Sequence, residues 1–150
     1  MRVTQRCQYA LRAIFELARR NGRGPIKIAD IAEVQAIPQR FLEVILSQLK
    51  HGGFVDSQRG TDGGYFLKRD PADLTVGEVM RFMQGFIGPV SCVLNESEDN
   101  KCVLYGDCAF IDMWKEVQRA MTEIYDNTTF KNLVERDQQR KSEYLPCYSI

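Results

Sequence analysis

One histidine, His51, no net charge, and no run of eighteen or more apolar residues: these are what the 150-residue chain has little of. A single imidazole leaves no Ser/His/Asp set to assemble, and no glycine loop before a helix is placed to cradle phosphates. Paired carboxylates with an evident pocket are missing as well, so nothing in the chain points to an enzyme. Without a long apolar run no helix is expected to cross a membrane. The opening MRVTQRCQYALRAIFELARRNG is interrupted by Arg12 and Glu16, unlike a secretory apolar segment. A cytoplasmic protein is therefore expected. No internal repeat is visible.

The zero charge conceals two unlike halves. Residues 1–70 hold twelve Lys and Arg against seven Asp and Glu, about +5, and the remainder balances this at −5. A basic half suggests a polyanion as its partner. Cysteine is not scarce. Cys92, Cys102 and Cys108 lie in one acidic stretch with nine and then five residues between them, and Cys7 and Cys147 complete the five. A chain this long can bury a core without staples. In a reducing compartment such cysteines point to metal, redox chemistry or burial rather than structural disulfides.

Thr4 can cap a first helix on which Cys7, Leu11, Ile14, Phe15 and Ala18 recur at helical spacing. NGRGP (21–25) ends it, and Ile28, Ile31 and Ala32 mark a short second helix. Pro38 suits the first turn of a third, expected to bury Phe41, Leu42, Ile45, Leu46 and Leu49 and to close at Gly52 and Gly53. FVDSQR (54–59) and YFLKR (65–69) flank GTDGG as a two-stranded hairpin. Thr75 and Glu78 form a capping box before Val76, Val79, Met80 and Met83. After the cysteine stretch, a long apolar stripe runs from Ala109 to about Asp126. A last helix is expected from Phe130 to about Gln139, with a frayed tail from Lys141.

Three helices followed by a hairpin is the order of a winged helix-turn-helix. The third helix turns Gln39, Arg40, Glu43 and Ser47 away from its apolar face, where they can meet base edges in a major groove. Arg59, at the end of the first strand, can enter a minor groove. The fold class expected is mainly α with a small β-hairpin. Residues 1–72 form the winged helix-turn-helix domain, and 73–90 a connecting helix and loop. Residues 91–108 form the cysteine-bearing loop, 109–140 a long dimerisation helix with a C-terminal helix, and 141–150 a flexible tail.

Several stretches together resemble the Rrf-type winged-helix transcription regulators. They are MRVTQRCQYALRAIFELA, the run IADIAEVQAIPQRFLEVILSQLKHGGFVDSQRGTDGGYFLKR, LTVGEVMR, the three cysteines and FKNLV. Arg59-Gly60 with Gly63-Gly64-Tyr65 is the most specific part. The chain has Thr61 where the family commonly has proline, and Pro38 and Arg40 where small hydroxyl residues are often seen. The resemblance implies a homodimeric regulator, repressor activity, and a double-stranded DNA operator. It implies DNA contacts at Arg2, Lys27, Pro38, Gln39, Arg40, Phe41, Glu43, Lys50, Arg59, Gly60, Thr61, Gly63, Gly64 and Tyr65. It implies pairing through the long helix, by Phe110, Met113, Trp114, Val117, Met121 and Ile124. Members of the family bind an iron–sulfur cluster, [2Fe-2S] or [4Fe-4S], with three cysteines of this loop, which implies Cys92, Cys102 and Cys108 as ligands; such a cluster is lost in air. The fourth ligand is open: Ile111 stands where some members have histidine, and Gln8 or Cys7 of the partner subunit and Cys147 are candidates. A zinc site, a reversible thiol–disulfide switch, or cysteines with no ligand remain the alternatives, as does control by a partner protein or a small-molecule effector.

Overall fold

A computed structural model describes residues 2–93, 102–104 and 106–143. Its elements run α1 (Gln5–Arg19), α2 (Ile28–Val34), α3 (Gln39–His51), β1 (Val55–Gln58), β2 (Gly64–Leu67), α4 (Val76–Gln84), a single 3-10 turn (Ser91–Val93), α5 (Ile111–Asn127) and α6 (Phe130–Glu143). This is the mainly helical winged-helix architecture with one hairpin. No helix among the described residues is long and apolar enough to cross a membrane.

Local chemistry sets the ends of these elements. The Thr4 hydroxyl accepts from the Cys7 amide at the start of α1. Thr75 and Glu78 complete a reciprocal capping box on α4. Thr129 and Asn132 exchange the same kind of bonds at the start of α6. Pro38 stands at the N-cap of α3, one residue earlier than expected. Gly53, at φ 77°, takes the left-handed turn that closes α3. The turn between α2 and α3 is the tight break that the sequence suggested. Ala36 sits at φ 48°, and no other described residue except glycine has a positive φ.

β1 and β2 pair antiparallel, with Val55 opposite Leu67 and Gln58 opposite Gly64. β1 is one residue shorter at each end than the 54–59 expected, and β2 starts one residue before and ends two residues before the 65–69 expected. A third segment joins them, which the sequence did not reveal: Ile26 and Tyr65 exchange backbone hydrogen bonds of 2.9 and 2.8 Å. The approach is so close that a Cβ on Gly64 would overlap the Ile26 backbone. The wing is thereby tied to the loop after α1.

One core runs through the chain. Cys7, Ala10, Ala13 and Ile14 of α1 meet Leu42, Leu46 and Leu49 of α3, Val79 and Met80 of α4, and Phe130 of α6, all at most 1 % exposed. The expected division at residue 72 is thus not a gap in packing. Short backbone bonds from Val76 to the Thr128 carbonyl and from Phe130 to the Leu74 carbonyl pin the α5–α6 turn to the start of α4. α6 continues to Glu143, with Lys141 paired to Asp137 at 2.6 Å, past the point where fraying was expected. Among the described residues, α5 differs from the other α-helices in having no buried residue.

Candidate nucleic-acid interface

α3 is held by Leu42, Ile45, Leu46 and Leu49, each at most 2 % exposed. The opposite face is open: Gln39, Arg40, Glu43, Ser47 and His51 are exposed, as is Pro38 before them. Gln39 donates to the Glu43 carboxylate at 3.3 Å, one turn on. The Arg40 guanidinium lies over the Phe41 ring, 4.8 Å from its centre. Phe41 is not part of the core, as its place in the apolar list had implied; it is 47 % exposed because it flanks the buried stripe on the α1 side.

Lys50 does not extend freely. Its ammonium donates to the Ser57 hydroxyl at 2.6 Å and pairs with Asp56 at 3.1 Å, joining the end of α3 to β1. The Ser57 amide and this ammonium hold the Asp56 carboxyl below its usual range. Arg6 of α1 donates to Gln48 at 2.9 Å and fastens the other flank. At the wing, Arg59, Gly60 and Thr61 are exposed at the tip, with Gly60 at φ 117°. Gly63 is buried, Gly64 backs onto Ile26, and Tyr65 is half-buried against the core, so these three build the wing's base. Arg2 and Lys27 are exposed.

Glu16 is the residue that reading the sequence missed. It entered only as a break in an apolar run, yet its side chain is 0 % exposed. Arg20 and Arg19 donate to it at 2.6 and 2.9 Å, and Gln35 at 3.0 Å. Burial pushes the Glu16 carboxyl up, but the Arg19 and Gln35 hydrogen bonds and both arginine charges outweigh it, and its pKa lies below the usual value. Gln35 precedes Ala36, so the buried carboxylate anchors the turn that aims α3. The sequence did carry a signal: an acid within the apolar spacing, with arginines three and four residues later.

Of the cysteines, Cys7 is wholly buried and its thiol is pushed up to about 11 by that burial. It is protonated at neutral pH and sealed in the core of its own chain. Gln8 is exposed, and its amide nitrogen donates to the Val3 carbonyl at 3.0 Å. Cys92 lies half-buried on the 3-10 turn, Cys102 is exposed and Cys108 is half-buried just before α5. Three thiols suit an iron–sulfur cluster in kind, but no three metal-binding side chains converge among the described residues. Cys147 and the acidic residues Glu96, Glu98 and Asp99 fall outside the described residues.

α4 connects the two regions. It leads through residues 85–90 to the cysteine stretch, and its Phe82 ring covers Gly52 at the end of α3 and meets the Phe54 ring at a tilt of 52°, 5.0 Å between centres. A Cβ on Gly52 would sit 2.5 Å from the Phe82 ring, so glycine is what permits the contact.

A family model described as Rrf2, an iron-dependent transcriptional regulator, matches residues 3–136. The chain belongs to the Rrf2 family. It is a transcriptional regulator and not an enzyme. Its relatives include the HTH-type transcriptional regulator CymR of Bacillus subtilis, 30 % identical over 97 % of this chain and 98 % of that protein. The regulator IscR of Klebsiella pneumoniae is 31 % identical over 89 % of this chain and 80 % of its own length. The solved structure of CymR, the global cysteine regulator of B. subtilis, superposes with a TM-score of 0.73 at 29 % identity, covering 91 % of this chain and 98 % of that one.

Proposed function

We propose that this Rrf2 regulator is a homodimeric repressor, acting in the cytoplasm, whose grip on an operator is set by the state of Cys92, Cys102 and Cys108. The observation that carries the DNA reading is the outward face of α3, where Arg40, Glu43 and Ser47 stand clear on a helix anchored by four buried residues. Arg40 pairs with guanine, Gln39 with adenine, and Glu43 accepts from a cytosine amine. Arg59 at the wing tip reaches a neighbouring minor groove, and Gly60 and Thr61 let the backbone approach. Arg2 and Lys27 meet phosphates. Lys50, committed to Asp56 and Ser57, serves instead to set the angle between reading helix and wing.

α5 supports the dimer. Phe110, Met113, Val117 and Ile124 are exposed, at 61, 45, 37 and 65 %, and Trp114 and Met121 are half-buried beside them on the same stripe. A groove of about 480 Å³ between α1, α5 and α6, lined by Leu11, Phe15, Ile124 and Leu133, extends that apolar surface. A second copy laid along it buries what one chain leaves wet.

A cluster held by the three thiolates would supply iron- and oxidant-sensitive shape to the segment between α4 and α5. The protein's part is to transmit that shape: α4 bears on the end of α3 through Phe82 and Gly52. CymR of Staphylococcus aureus, whose structure is known in an oxidized form, supports thiol oxidation as the second way of switching Cys92, Cys102 and Cys108.

Binding to duplex DNA, followed by fluorescence anisotropy over a range of salt, tests the first part. Affinity is expected to fall linearly with salt on logarithmic axes; binding indifferent to salt and sequence overturns the reading. For the switch, Cys102→Ser protein purified without oxygen is expected to keep its fold but to lose visible absorbance and the response of its DNA binding to oxidants. An unchanged response removes Cys102 from the site.

A further inference from the structure

The geometry points to Val44 as a base-reading residue that recognises the 5-methyl group of a thymine, next to the base that Arg40 contacts. The inference rests on the reading of α3 as the helix that enters the major groove. Val44 lies one turn beyond Arg40, on the outward face shared with Ser47 and His51, and is 56 % exposed. Sequence reading passed over it because an aliphatic side chain on a helix is ordinarily assigned to the core. A lone exposed aliphatic residue is unremarkable. This one, however, is joined by Phe41, and with Tyr9 and Ile45 the two line a shallow pocket of about 260 Å³ between α1 and α3.

The charges around the patch select its occupant. Arg6 lines this pocket and Arg40 stands one turn before Val44 on the same helix, with Glu43 the acid on the exposed α3 face. A mostly cationic rim favours a polyanion over an apolar protein surface. Within a major groove the prominent apolar feature is the thymine methyl, which an apolar side chain long enough to reach it can contact. Phe41 contributes indirectly. Its ring lies under the Arg40 guanidinium at 4.8 Å and so steadies Arg40 beside Val44. Residues four apart on a helix have Cβ atoms about 5–6 Å apart, and bases on one strand are about 3.4 Å apart. The thymine therefore lies one or two steps from the base that Arg40 reads.

The test begins by selecting an operator from randomised duplexes with the full-length protein. Each thymine of a half-site is then replaced singly by deoxyuridine, which removes only the methyl, and Kd is measured at constant salt. One position is expected to raise Kd about three- to fivefold, the effect of one buried methyl-sized group. Val44→Ala is expected to bind the thymine and uracil forms of that site equally, with thermal unfolding matching the parent. A half-site in which no methyl matters, or a methyl effect that persists in Val44→Ala, overturns the inference and leaves the patch to a protein contact. Failure to select any DNA strikes instead at the reading of α3 itself, which keeps the two outcomes apart.

Discussion

α3 and α5 are both amphipathic, both long, and opposite in what they do with their apolar stripes. α3 spends four leucines and isoleucines on the core and is fixed by its own chain. α5 carries a stripe of similar strength, including a tryptophan, and buries none of it completely. The contrast teaches that amphipathicity says a face will be covered, but not by what. The covering layer over α3 is α1, whose Cys7, Ala10 and Ile14 are close enough in space and sequence to form one unit. α5 touches its own chain through α4 and the turn at residues 127–129, where Arg81 pairs with Asp126 at 2.6 Å and Gly77 leaves room for the Asp126 carboxylate. Phe110, Met113, Val117 and Ile124 of its stripe stay exposed in the single chain.

The comparison breaks most sharply at the anchor of α3. Glu16→Ala leaves Arg19, Arg20 and Gln35 facing a buried gap, and the loss expected is about 3–5 kcal/mol of stability. Denaturant unfolding measures it, and a cost below about 1 kcal/mol would show that the anchor is ornamental. Acid tests the same group. A carboxyl whose pKa is lower folded than unfolded contributes stability above the ordinary value of 4.5 and loses it as pH falls through the folded value. Thermal midpoints taken downward from pH 5 are therefore expected to fall less steeply in Glu16→Gln than in the parent.

α5 is expected to answer differently. Val117→Asp, on a side chain that no core of one chain covers, should leave the secondary structure in place while weakening dimerisation by about 2 kcal/mol. Sedimentation across a concentration series separates the two effects. Unfolding with no change in association would place Val117 in the core of a single chain and cancel the contrast between the helices.

The smallest effect is at Ala36. Alanine at φ 48° carries strain that glycine does not, so Ala36→Gly is expected to change stability by less than about 1 kcal/mol, upward where strain relief exceeds the added unfolded-state freedom. A large loss in thermal unfolding would show that the Ala36 methyl has a packing role comparable to those of the buried α3 residues.

The order of elements, their caps and the buried face of α3 were legible in the sequence because each depends on neighbours within a turn or two. Thr4, Thr75 with Glu78, and Gly53 act over three or four residues, and the spacing of Leu42, Ile45, Leu46 and Leu49 is itself the helix period. The family resemblance was legible for the same local reason, as short runs of identical residues. Contacts made across the chain were not. Whether Glu16 is solvated or sealed in, whether Phe41 faces the core or the outside, whether Lys50 reaches outward or folds back on Asp56, and whether Gly64 lies against Ile26 depend on which surfaces meet after folding. Periodicity assigns a side chain to a face of its own helix; only the packing of helix on helix and wing on loop decides what that face touches.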